Sequence, residues 1–139
     1  MVGGTPSTRE YFGSIKGGGD MINVSVEDVA DPVLKDIVLN EEPRLDKKQR
    51  KDKRYQEMIK LADKIRSRLN TIKTFEHFKM LETYKSWYPH PLDDNRKDYW
   101  AVRLKKNNPY RLIFQYDEEA NALRLIDFLD YHKDRRNRR

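Results

Sequence analysis

Apolar and polar side chains alternate most clearly in the second half of the chain. Trp100, Val102 and Leu104 alternate with Ala101 and Arg103, and Tyr110, Leu112, Phe114 and Tyr116 alternate with Arg111, Ile113 and Gln115. A period of two predicts half-buried strands. Residues 122–129 are apolar at nearly every step, as in a strand covered on both faces. The polar segments 105–109 and 117–121 separate these runs, and connections that short suit antiparallel neighbours. The pattern predicts a three-stranded meander. One face can bury large side chains, and the other carries Arg103, Arg111 and Gln115.

Upstream, Ile22, Val24 and Val26 alternate with Asn23 and Ser25, which predicts a short strand beside the meander. Asp31-Pro32 reads as an N-cap and first helical position, with Val33, Leu34, Ile37 and Val38 supporting a short helix that ends near Asn40. Pro43 interrupts the chain before one longer helix expected over residues 46–69. Its apolar stripe (Tyr55, Met58, Ile59, Ala62, Ile65, Leu69) has the spacing of a face packed on the sheet. Thr74 is the expected N-cap of a helical turn carrying Phe75, Phe78 and Leu81, with His77 at its boundary. The order strand, helix, helix, strand, strand, strand predicts a small α+β fold: an antiparallel sheet, formed by the N-terminal strand and the C-terminal meander, with helices on one face.

Composition narrows the picture. A chain of 139 residues has room for one domain with a modest core. All six glycines fall within the first 19 residues, so residues 1–20 read as a flexible extension or an expression scar, with Met21 opening the domain. Residues 21–132 form the expected domain and 133–139 a basic tail. No run approaches 18 apolar residues, so no membrane span is expected. The absence of cysteine removes disulfides and thiolate chemistry and agrees with a cytoplasmic location. Three histidines without metal-ligand spacing argue against a zinc site, and no cofactor is implied.

Charge is unevenly placed. Residues 20–46 carry eight acidic side chains against Lys35 and Arg44, whereas from residue 47 onward 25 Lys and Arg stand against 14 Asp and Glu. Lys47, Lys48, Arg50, Lys51, Lys53 and Arg54 crowd into eight positions, and Lys133, Arg135, Arg136, Arg138 and Arg139 close the chain. Two such runs flanking the meander are the footprint of a nucleic-acid binder; either run alone is equally a solvated helix face or tail.

Histidines supply the candidate chemistry. His90 precedes the first meander strand and His132 follows the third, so both can lie at one end of the sheet, with Arg103 and Arg111 between them. Two groups that titrate near neutrality beside fixed positive charge suit phosphodiester cleavage. Without a metal, that reaction needs a base for the 2′-hydroxyl, an acid for the 5′-oxygen and positive charge for the transition state. His90 and His132 fit acid and base in either order.

The residues His90-Pro91-Leu92, Tyr99-Trp100-Ala101-Val102, Arg111 early in the next strand and Asp130-Tyr131-His132 together resemble HigB-type toxins of the RelE/ParE toxin–antitoxin superfamily. The resemblance spans residues 90–132 closely and residues 21–88 in element order. It implies a compact RelE-like α+β fold and a ribosome-dependent endoribonuclease that cuts messenger RNA. It also implies a helix-turn-helix, HigA-like antitoxin as partner, through which operator DNA is reached indirectly. His90 and the triplet Asp130, Tyr131 and His132 match the family's catalytic positions, and Arg111 its middle-strand arginine. Where the family carries Lys-Gly after His-Pro-Leu, this chain carries Asp93-Asp94, which places carboxylates near the expected phosphate. Arg96, Lys97 or Arg103 can offset them. The rival readings are a ParE-like gyrase inhibitor and a catalytically inactive RNA- or antitoxin-binding relative.

Overall fold

The computed structural model describes residues 21–92 and 98–130. Its elements are β1 (Asn23–Ser25), α1 (Pro32–Val38), α2 (Lys47–Arg50), α3 (Lys53–Lys60), α4 (Ala62–Ile72), 3₁₀ helices at Phe78–Thr83 and Lys85–Trp87, β2 (His90–Pro91), β3 (Tyr99–Arg103), β4 (Tyr110–Asp117) and β5 (Ala122–Asp130). The strands form one sheet in the order β1-β5-β4-β3-β2, making the fold α+β. The expected meander is present as β3, β4 and β5. The N-terminal strand lies beside it as anticipated, but β1 runs parallel to β5, with Asn23 opposite Ala122. The sheet is therefore mixed, not antiparallel, because α1 to α4 carry the chain back across one face before the meander begins. A fifth strand was not foreseen: β2 pairs His90 with Ala101 and Pro91 with Trp100. Two residues are too few to show alternation.

The helices cover one face. Leu34, Ile37, Met58, Ile65 and Ile72 meet Leu112, Phe114, Leu125 and Phe128 in one core, all of them essentially inaccessible to solvent. Each such side chain contributes roughly 1.5–3 kcal/mol through burial. The opposite face holds a smaller cluster of Leu92, Ala101 and Ile113, joined by Tyr99, Ile126 and Leu129. A bulge reconciles the two faces: Ile113 pairs with Asp127 but Phe114 with Leu125, so Ile126 is the extra residue. The bulge lets Leu123, Leu125 and Phe128 share the helix side, and it accounts for the nearly continuous apolar run.

Asp31 caps α1, accepting from the backbone N–H of Val33 at 2.9 Å, with Pro32 in the first turn as anticipated. The single helix expected over residues 46–69 is instead three pieces. Asp46 and Gln49 form a reciprocal capping box that starts α2. Lys51 ends α2, and Asp52 caps a new helix by accepting from Arg54 N at 2.8 Å. The run between Asp46 and Tyr55 has no apolar residue to hold a packed face, so local capping decides where helices start. At Leu61 the break is only a kink, since Leu61 N still bonds Glu57 O and Ile65 N still bonds Leu61 O. Thr74 is likewise not an N-cap; its hydroxyl donates to Thr71 O at the end of α4. His77 takes that place, its Nδ1 accepting from Lys79 N at 3.0 Å.

Arg54 ties these layers together. It donates to Asp31 at 2.6 Å, to Asp127 at 2.9 Å and to the backbone carbonyl of Phe128 at 2.7 Å. Since β1 pairs only with residues 122–124 of β5, this guanidinium serves β5 beyond the reach of β1. Burial pushes the Asp31 carboxyl up, but the hydrogen bond and charge of Arg54 and the Val33 N–H outweigh it, so its pKa lies below the ordinary 3.8.

Candidate functional site

Cross-strand partners share a sheet face, so the register fixes which side chains gather. His90 lies opposite Ala101, which lies opposite Ile113; one row further along, Arg103 lies opposite Arg111, and Arg111 opposite Leu129. All belong to the face turned away from the helices. His90, Arg103 and Arg111 therefore share one face near one end of the sheet.

Arg103 is half-buried. Its Nε and Nη2 donate to Ser86 O at 3.3 and 3.0 Å, and its guanidinium lies 5.5 Å from the centre of the Tyr88 ring. No carboxylate forms an ion pair with it among the described residues. Arg68 lies close by, donating to the backbone carbonyls of Arg103 and Leu104 and resting 4.6 Å from the Trp87 ring. Burial and the charge of Arg103 both lower the Arg68 pKa, so these guanidiniums repel one another. Arg111 is 6% exposed and turns back over the β3–β4 connection, donating to Asn108 O at 2.5 Å and Tyr110 O at 3.2 Å.

The imidazole of His90 is fixed by its backbone surroundings. Its Nδ1 is 2.9 Å from Tyr88 O. A carbonyl only accepts, so in the neutral ring Nδ1 carries the proton and Nε2 is the basic nitrogen. Tyr88 itself is 59% exposed and holds φ 50, ψ 53, the left-handed conformation. Its ring meets that of His90 edge-on at 5.5 Å. The other positive-φ residues among those described, Asn40, Asp98, Asn107 and Asn121, are of the types that tolerate this region. Tyr88 is not, and its backbone stores strain of roughly 1–3 kcal/mol.

Not every expected site residue joins this group. Asp130 pairs with Tyr110, a core residue, so the register sends it to the helix side of the sheet. From β2 to β5 there are three strand spacings, roughly 14 Å, which separates Asp130 from His90 laterally as well. Tyr131, His132, Arg96, Lys97, Asp93 and Asp94 lie outside the described residues, as do residues 1–20 and the tail at 133–139. Lys47, Lys48, Arg50, Lys51 and Lys53 are exposed on α2, its C-terminal turn and the first turn of α3. Arg54 departs from that set: its charge is already matched by two carboxylates inside the fold. Its partners lie 23 and 73 residues away, beyond anything a local charge run displays. Tyr88 escaped the sequence reading. The only signal was the lack of glycine after residue 19, which obliges some other residue to take each left-handed turn.

Two concavities lie elsewhere. One of about 370 Å³ is lined by Glu42, Pro43, Leu45, Arg50, Ile59, Ala62 and Arg66, and one of about 390 Å³ by Asp98, Gln115, Asp117, Glu118, Glu119 and other residues at the opposite end of the sheet. Neither includes His90 or Arg103. Among the described residues, no group of three or more histidines and carboxylates could hold a metal ion, and no helix is long and apolar enough to cross a membrane.

Comparison with protein-family models, curated proteins and solved structures yields no match to this chain.

Proposed function

We propose that the protein is a metal-independent endoribonuclease of RelE-like fold, a HigB-type toxin that cuts messenger RNA on the ribosome and is held by a HigA-like antitoxin. The observation that carries this reading is Arg103: a guanidinium with no carboxylate partner among the described residues, facing Arg111 across the sheet and sharing that face with His90. Such a constellation suits a phosphodiester. In the proposed reaction, His90 Nε2 removes the proton of a ribose 2′-hydroxyl. The 2′-oxygen attacks the adjacent phosphorus, the bond to the 5′-oxygen breaks, and that oxygen takes a proton from a second group. The products are a 2′,3′-cyclic phosphate and a 5′-hydroxyl. Arg103 stabilises the charge that grows on the non-bridging oxygens. His132 is assigned the second proton by the family resemblance. Arg111 acts through position, holding the β3–β4 connection beside the site. Asp130, placed on the helix side, is given no contact with the scissile group.

Primer extension on messages under translation tests the reading. Cuts that need both ribosomes and His90 are expected. Growth inhibition without cuts would favour the gyrase-directed alternative, and neither effect would leave an inactive binding relative.

A further inference from the structure

We propose that Tyr88 is a stacking platform for an unpaired base of single-stranded RNA, presented beside the phosphate that Arg103 faces. The inference rests on the nuclease reading for its substrate, but it starts from a separate observation. Trp87, the preceding residue, packs into the core at the end of a series of aromatic contacts, whereas Tyr88 is 59% exposed. Phe75 meets Tyr84 at 5.4 Å, and Tyr84 meets Trp87 at 4.5 Å. Those rings anchor Trp87 in the core, so the residue that follows is presented from a buried neighbour.

The backbone at Tyr88 makes a ring there costly. Asparagine or glycine would hold φ 50 more easily, as asparagine does at Asn40, Asn107 and Asn121. An exposed aromatic at such a position contributes little to the core. Strain held at an exposed side chain is typical of residues kept in place for a ligand.

Its neighbours indicate what kind of ligand. Arg103 lies 5.5 Å from the ring centre, and Arg68 is next to Arg103, bonded to its carbonyl. Neither guanidinium has a carboxylate ion-pair partner among the described residues. An aromatic surface next to arginines that lack a carboxylate ion pair among the described residues matches the two halves of a nucleotide, the base and its phosphate. A protein partner offering acidic side chains would use the cations, but it would not need the strained ring.

The test uses the full chain and a short single-stranded RNA carrying 2-aminopurine, whose fluorescence falls when it stacks. Tyr88→Phe keeps the ring; Tyr88→Asn removes it and suits the left-handed backbone. Wild type and Tyr88→Phe are expected to quench the probe alike. Tyr88→Asn should bind about ten- to a hundred-fold more weakly, with a melting temperature equal to or above that of wild type. The same RNA as a duplex should bind wild type and Tyr88→Asn equally. Unquenched wild type, undiminished affinity in Tyr88→Asn, or equal losses in both variants overturns the platform; equal losses would indicate a hydroxyl contact. Undiminished RNA affinity is also the result expected if the ring docks on a protein. Ribosome-dependent cutting by wild type is scored separately. Stacking without cutting keeps the platform and sinks the nuclease, whereas cutting that Tyr88→Asn leaves unchanged keeps the nuclease and sinks the platform.

Discussion

Arg103 and Arg111 stand directly opposite each other on β3 and β4, a like-charged cross-strand pair. Such pairs destabilise a sheet by a few tenths of a kcal/mol to about 1 kcal/mol. Arg111 spends donors on two backbone carbonyls of the neighbouring turn, and Arg103 on Ser86 O. Arg103 has no carboxylate ion pair among the described residues, and a phosphate is a natural group to meet its charge.

Sulfate or phosphate should therefore raise the melting temperature of wild type above its value in chloride at equal ionic strength. Arg103→Gln should lose that increment. Its stability in chloride should stay within about 1 kcal/mol of wild type, because relieved repulsion offsets a lost hydrogen bond. Cleavage on ribosomes should fall by about 10²-fold or more. A melting temperature that responds to sulfate equally in both proteins would show that no anion binds there.

Replacing His90 with Ala removes the proposed base from a two-residue edge strand, at a position that is only half-buried. Single-turnover cleavage should drop by roughly 10²–10⁴-fold, while circular dichroism and the melting transition stay close to wild type. Retained cleavage in a folded His90→Ala protein would exclude the imidazole from proton transfer.

Much of this fold was readable in the sequence, for reasons that differ by element. Trp100 to Tyr116 announced strands because large apolar side chains recur at every second position on the helix-covered face. Asp31-Pro32 announced a helix start because capping is local chemistry. Residues 46–69 misled because the positive run has no apolar face, so Lys51 ends one helix and Asp52 starts another through a single side-chain hydrogen bond. His90 was legible as a residue type beside the meander. Its tautomer, its place on β2 and the ring of Tyr88 next to it depend on backbone geometry that residue spacing does not encode. Arg54 looked like one more charge in a run, and only the tertiary fold brings Asp31 and Asp127 to it.

That clamp has a pH signature. Asp31 has a folded pKa below its ordinary 3.8, so its stabilising effect is fully present above that value and is lost as pH falls through the folded one. Arg54→Ala should cost about 1–3 kcal/mol, reduced from the fully buried case because the side chain of Arg54 is 26% exposed. It should also flatten the acid limb of a stability-against-pH curve. Urea midpoints at intervals between neutral pH and pH 3 measure both. An unchanged acid limb in Arg54→Ala would assign the acid sensitivity to other carboxylates.

The exposed cations on α2 and its C-terminal turn give a different prediction. Neutralising Lys47, Lys48, Arg50 and Lys51 should weaken ribosome or RNA binding and reduce the slope of log affinity against log salt by just under one for each lost phosphate contact. Substitution of Arg54 should leave that slope alone, since its charge is matched within the fold. An unaltered slope in the fourfold variant would make the run a solvated helix face.

The parallel pairing of Asn23 with Ala122 also constrains how the molecule comes into being. β1 is made early, but its partner strand β5 emerges about a hundred residues later, a wait of roughly 5–20 s at ordinary rates of synthesis. Asp31 and Arg54 must likewise wait for Asp127, whereas the meander closes on itself through short turns as it appears. The β1–β5 pairing and the clamp of Arg54 on Asp31 and Asp127 are therefore completed last, whereas His90, Arg103 and Arg111 stand on strands that pair with one another before β5 is made.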